Sequence, residues 1–313
     1  MFVEKRRSWI ATVVLGGVAL PRIWVRAAFV TALSVAVTFA YREVPAFHYS
    51  ITTAPFVLIG LPLGIFLGFR NNTAYDRFWE GRKLWGSLVN TSRSLTRQIV
   101  TLIEPQPEAA DQSLESVEAH EVAMVHMLIA YVHSLRHHLR DSDSFPTLQR
   151  VLSEGEVARF RGEINVPIAI LHRIAELMVE ARRKHWIHPL HVPVVEQSLT
   201  ALTDIQGGCE RIKSTPIPYS YTVLMHRIVA VYCGLLPFGL DETIGWATPI
   251  VVLFVSYALF GLDAIGDEIE QPFDLDPNDL PLSTISRTIE ANLRVRIGEE
   301  PPPLFKPRDG ILP

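Results

Sequence analysis

Hydrophobic and polar positions divide this chain into uncharged apolar runs and long mixed stretches of helical period. Arg26–Ala40 carries no charge after its first residue, and with Ile23, Trp24 and Val25 it makes a span of roughly 18 residues, near the minimum for a bilayer core. Trp24 and Tyr41 sit where interfacial aromatics are expected. A polar loop over 42–50 separates this run from a second uncharged one, Ile51–Phe69. Tyr219–Leu240 and Trp246–Leu262 form another apolar pair, with Asp241 and Glu242 marking the short turn between them. His226 and Arg227 leave the first of these a clean run of only Ile228–Leu240, so its polar end must be shielded by protein. The pattern predicts an all-α membrane protein with four transmembrane helices in two hairpins.

The second run has internal order. Gly60, Gly64 and Gly68 are spaced four apart, and Leu61, Ile65 and Phe69 each follow one position later. Residues four apart share nearly one face of a helix. The glycine stripe suits close helix packing, as small residues do at membrane helix interfaces. The apolar stripe beside it faces lipid, a partner helix or a pore, and periodicity alone does not choose.

Beyond Arg70 the pattern becomes amphipathic. Phe78, Trp85, Leu88, Val89, Ile99 and Ile103 fit one face of a helix continuing out of the second run, which Pro105 and Pro107 end. Val117–Leu139 reads as a helix with Met124, Leu128, Tyr131 and Leu135 on its apolar side. Phe160–Arg183 and Val194–Ile212 read as two more, and nothing alternates with period two over a useful length. The chain therefore divides into an N-terminal cytosolic segment 1–22, a membrane hairpin 23–70, a helical cytosolic body 71–218, a second hairpin 219–263 and an acidic, then Pro-rich cytosolic tail 264–313.

Charge fixes the expected orientation. Lys5, Arg6, Arg7, Arg22 and Arg26 flank the start of the first span, and Arg70, Arg77, Arg82 and Lys83 follow the second, against one arginine, Arg42, in the loop between. The positive-inside rule then places both termini in the cytoplasm of a multi-pass inner-membrane protein. The N-terminal apolar run Trp9–Leu20 leads into Pro21 and Arg22 without a small-x-small cleavage pattern, so it reads as retained rather than as a signal peptide. A hydrophobic fraction of 48% with mean hydropathy +0.20 agrees with a membrane protein, and a net charge of −4 gives no sign of a nucleic-acid partner.

Candidate chemistry is sparse. Cys209 and Cys233 form no disulfide framework or CxxC site. His133 and His137, and the set His185, His188 and His191, have spacings open to a metal, yet neither has a cysteine or a carboxylate at a recognisable ligand spacing. There is no GxSxG, P-loop or GxGxxG, so the chain is not expected to be an enzyme and no catalytic residue is assigned.

Three blocks carry a family resemblance: FLGFRNNTAYDRFWEGRKLWGSLVNTSR (Phe66–Arg93), GCERIKSTPIPYSYTVLMHR (Gly208–Arg227) and DPNDLPLSTISRTIEANLR (Asp276–Arg294). They resemble bacterial members of the bestrophin ion-channel family, as does the layout of two hairpins around a helical cytosolic body. The resemblance implies a homopentamer around one axial pore, with the lipid bilayer and permeant monovalent ions as its other partners. It places Leu61, Ile65 and Phe69 at the family's apolar neck, where stacked rings gate by dewetting. It puts a second, cytosolic constriction at Val194 or Leu190. Animal members carry a calcium clasp after the fourth span. Asp276 and Asp279 fall on its acidic positions, but Pro277 and Asn278 break the run and Gln271 replaces an asparagine. No cofactor is therefore required. Ca2+ or another divalent ion has only this remnant to bind, against a role for Asp274, Asp276 and Asp279 in capping and docking a tail helix at Ser283–Arg294. Bacterial members resemble monovalent-cation channels, so cations are the expected permeant ions, with a chloride channel of the same architecture as the alternative. From a different class, a membrane-anchored ligand-binding or sensor protein also fits the composition.

Overall fold

A computed structural model describes residues 20–47, 51–109, 113–307 and 310–313. The N-terminal run 1–19, with its Lys5–Arg7 charge cluster, lies outside the described residues. Helices make up the fold, and among the described residues there is no strand beyond an isolated bridge between Ile103 and Ile187. They are α1 (Leu20–Glu43), α2 (Ala54–Leu102), α3 (Leu114–Leu139), α4 (Phe145–Val151), α5 (Glu154–Arg159), α6 (Val166–Arg183), α7 (Val192–Ser214), α8 (Tyr219–Ile244), α9 (Thr248–Glu270) and α10 (Leu282–Arg296). They cluster into two compact units. One comprises the described part of Glu4–Phe78 with Pro216–Pro272, and the other comprises Trp79–Thr215 with Phe273–Pro313.

The first unit holds the stretches long and apolar enough to cross a membrane: Ile23–Glu43, the start of Ala54–Leu102, and Tyr219–Glu270. Its core joins Ile23 and Val30 of α1, Leu63 and Leu67 of α2, Val229, Cys233 and Leu236 of α8, and Val252 and Phe260 of α9. α8 and α9 run antiparallel, since Ile217 beside the start of α8 bonds Glu270 at the end of α9 and His226 bonds Asp263. The turn between them differs from the sequence reading. α8 continues through Asp241 and Glu242 to Ile244, and the chain reverses at Gly245, whose φ of 58° suits a residue without Cβ.

The second unit is built around α3. Met124, Leu128, Tyr131 and Leu135 are all fully buried, as the periodicity predicts, and the Tyr131 hydroxyl donates to the Leu202 carbonyl of α7. Trp85, Leu88 and Ile99, on the predicted face of α2, are also fully buried. One predicted helix is interrupted. Phe160–Arg183 breaks because Gly162 turns the chain at φ 90° and Asn165 caps a new helix, its Oδ1 accepting from Ile168 N at 3.3 Å. Pro167 then occupies the first turn of α6, where its missing N–H costs nothing. The short helices α4 and α5 were too brief for a periodicity argument. The tail helix forms, over Leu282–Arg296.

Candidate functional site

α2 presents two opposed faces in its membrane half. Leu63, Leu67, Arg70 and Ala74 are buried within the chain, whereas Leu61, Ile65 and Phe69 are 68%, 50% and 60% exposed. At about 3.6 residues per turn the two sets are centred roughly 170° apart. The apolar stripe therefore points away from the chain's own core, and among the described residues it stays largely uncovered. Pro62 sits inside the helix beside it.

The glycine stripe splits in two. A Cβ on Gly60 would stand 2.7 Å from the Tyr232 hydroxyl, so this glycine permits close approach of α8. Around Gly64 and Gly68, among the described residues, no atom outside the adjoining backbone of α2 lies within 4 Å of such a Cβ, and their smooth surface faces outward with the apolar stripe.

Arg70 is one residue past Phe69 and points to the opposite face. Its Nη1 donates to Asp263 Oδ1 at 3.0 Å, its Nη2 pairs with Asp267, and Glu270 lies at 3.7 Å. His226 of α8 shares the same acids, with Nδ1 2.7 Å from Asp263 Oδ2, and Arg26 of α1 stands 3.8 Å from that oxygen. Asn71 Nδ2 donates to the Leu262 carbonyl at 3.0 Å, and Arg77 Nε to the Glu270 carbonyl at 3.0 Å. Gly266 lets Asn71 approach, because a Cβ there would collide with the amide oxygen. These groups clip α2 to the polar end of α9.

His226, Asp263 and Asp267 also place a nitrogen and two carboxylate oxygens within 4.8 Å of one another. Arg70 already engages both carboxylates, so the cluster is an ion-pair network with its positive charge supplied by protein. Sequence reading predicted shielding at His226 but missed its partners. Asp263 and Asp267, four apart at the end of an apolar helix, were the available signal, since ionisable groups there seek partners.

The two candidate constriction residues are four positions apart in sequence. Leu190 is in the short 3-10 turn Pro189–His191 and Val194 in the first turn of α7, and both are exposed, at 76% and 43%.

The acidic loop is tied down by protein groups. Asp279, buried, accepts from Asp276 N through Oδ2 at 2.7 Å, and Asp276 O accepts from Asp279 N at 3.0 Å. Arg140 crosses beneath, donating to the Phe273 carbonyl at 3.1 Å, the Leu280 carbonyl at 3.4 Å and Ser283 Oγ at 2.9 Å. Burial and the neighbouring Asp276 raise the Asp274 carboxyl above its ordinary pKa.

The histidines predicted as an open pair have separate partners. His133 Nε2 bonds Glu290 Oε2 at 2.8 Å in the buried interior, and His137 bonds Ser142 and Thr147. Burial lowers both imidazoles, His137 to about 4. Glu290 is held down to about 2: burial alone would raise its carboxyl, and His133, Arg150 and Arg287 more than offset it. Cys209 and Cys233 are both buried and free.

Comparison with known proteins follows the same outline. A family model described as Bacterial/Fungal Bestrophin protein matches residues 1–295. A voltage-dependent anion channel-forming protein of Ralstonia nicotianae is 38% identical over 283 residues, covering 90% of each chain. One of Escherichia coli (strain K12) is 33% identical over 294 residues, covering 94% of this chain and 93% of its own. A crystal structure of a bacterial bestrophin homolog from Klebsiella pneumoniae superposes with a TM-score of 0.82 at 32% identity, covering 89% of this chain and 100% of that one.

Proposed function

The chain belongs to the bacterial and fungal bestrophin family, an ion-channel family, and on that premise we propose that it assembles as a homopentamer around one axial pore and conducts small monovalent anions. Four helices, α1, the start of α2, α8 and α9, cross the inner membrane as two hairpins with both termini cytoplasmic. The first hairpin falls within 23–70 and the second within 219–263, with the cytosolic body over 71–218 and the tail over 264–313.

One observation carries the pore reading: Leu61, Ile65 and Phe69 form an exposed apolar stripe on the face of α2 opposite its core. Around a five-fold axis that stripe becomes three stacked rings of Leu, Ile and Phe. Gly64 and Gly68, bare within the chain, sit beside it and let neighbouring copies of α2 approach closely. The rings offer no oxygen to replace a cation's hydration shell, so they set whether the path is wet rather than which charge passes. Leu190 and Val194 line a second constriction in the cytosolic part, with Val194 at the helix start the better placed.

The preference for anions replaces the cation expectation. It is supported by relatives named voltage-dependent anion channel-forming proteins over nearly their whole length. Arg70 does not supply that preference, because its side chain is buried among carboxylates on the far face of α2.

No cofactor is needed in this account. The acidic loop acts as a docked turn: Asp279 Oδ2 accepts from the Asp276 amide, and Arg140 holds the Phe273 and Leu280 carbonyls that flank it. Calcium requires about six to eight oxygens, which this donor set beside a guanidinium does not offer.

The test is the purified protein in planar bilayers, with its mass measured in parallel. A five-chain particle giving unitary currents supports the reading, and a monomer that is electrically silent contradicts it.

A further inference from the structure

Within the second unit, the end of α2 and the tail helix α10 enclose a cleft of about 630 Å3. Arg93 and Arg97 of α2 and Arg296 of α10 line it. Among the described residues none of the three forms an ion pair with a carboxylate. Their only recorded polar contact is a long one, Arg93 Nη2 to Asn292 Oδ1 at 3.5 Å. This contrasts with the arginines nearby, since Arg150, Arg287 and Arg294 all pair with Glu290. Thr96 adds a second observation, for it lines the cleft with its hydroxyl buried and without a hydrogen-bond partner. Val100 and Leu293 give the cleft an apolar wall.

We propose that this cleft binds a small organic phosphate, a phosphoryl group carried on an apolar or planar body. Three guanidinium forks match the oxygens and the double negative charge of a phosphate monoester, whereas a single carboxylate would neutralise their positive charge only in part. The Thr96 hydroxyl has a donor to give. The apolar body lies on Val100 and Leu293, and the volume falls in the range of ordinary small-molecule sites. The ligand bridges the helix that carries the apolar stripe to the tail helix, so its occupancy is a route for a soluble metabolite to bias α2. The site stands apart from the ion-conduction reading, because its residues and its readout are independent of current.

Calorimetric titration of the full-length protein in detergent tests it, with phenyl phosphate as probe and inorganic phosphate and benzyl alcohol as controls. Phenyl phosphate is expected to bind, inorganic phosphate about tenfold more weakly for want of apolar contact, and benzyl alcohol not at all. Arg97→Gln and Arg296→Gln, each at an exposed position without an acid partner, are expected to weaken phenyl phosphate about tenfold and leave the melting temperature of the free protein unchanged. Absence of phenyl phosphate binding, or binding that survives both substitutions, overturns the site. Inorganic phosphate binding as tightly as phenyl phosphate overturns the organic ligand.

Discussion

Arg70 and Asp263 form an ion pair at 3.0 Å with both side chains shielded, joining α2, which carries the apolar stripe, to α9. The two residues are 193 positions apart. Removing one partner of such a pair leaves an unpaired buried charge and costs about 3–5 kcal/mol, whereas replacing both with apolar residues approaches neutrality. Asp263→Ala is therefore expected to lower the melting temperature strongly in detergent, and the Arg70→Leu, Asp263→Leu double variant to lose less than the two single losses added together, with Asp267, Glu270 and His226 left short of a partner. Additive losses in the double variant would contradict the pairing.

The apolar stripe of α2 makes a separate prediction. Ile65→Ala and Phe69→Ala shorten apolar side chains that are largely exposed in the single chain, so stability is expected to change little. Widened, less apolar rings wet more readily, and open probability or unitary conductance should rise severalfold in bilayer recordings. The ratio of anion to cation permeability should stay fixed, since no charge has changed. Unaltered currents would place the stripe against lipid.

Calcium provides a third. With Arg140 and the Asp276 amide engaging the acidic loop, neither channel activity nor the melting temperature is expected to respond to millimolar Ca2+ or to its chelation. Calcium-dependent stabilisation that disappears in Asp279→Asn would overturn the docked-turn reading.

Acid sensitivity follows from α3. His120, His133 and His137 all titrate below the ordinary imidazole value in the fold, with burial the first cause, and His137 falls to about 4. Between their folded and unfolded values the unfolded chain binds more protons, so stability is lost as pH falls below about 6.5. Glu290, at about 2 in the fold, extends the loss below its ordinary carboxylate range. Glu121 opposes it, because burial raises its carboxyl to about 7 and folding then favours protonation as pH falls. Thermal melts from pH 8 to 5 should show declining stability, and Glu121→Gln should steepen the decline. A flat or rising profile in that variant would contradict the assignment.

Local pattern carried much of the fold. Helical period placed Trp85 and Leu88 on one buried face of α2 and Met124, Leu128 and Tyr131 on that of α3, because a buried helix face repeats in sequence. The break at Gly162–Asn165 was hidden because apolar residues continue across it, and only the positive φ and the Asn165 cap interrupt the helix. The apolar stripe was legible as a stripe, but its direction was not. That direction depends on Arg70 being drawn to the opposite face by acids on α9, a long-range pairing with no local signature. The arginine cleft was illegible for the same reason, since Arg93 and Arg296 meet only in the folded chain.

Reversal potentials separate anion conduction from cation conduction in one experiment. Purified protein in a planar bilayer is recorded first under a NaCl gradient, then with chloride replaced by gluconate. An anion channel is expected to reverse near the chloride equilibrium potential and to pass less current when gluconate replaces chloride. Reversal at the sodium equilibrium potential, unchanged by gluconate, would contradict it.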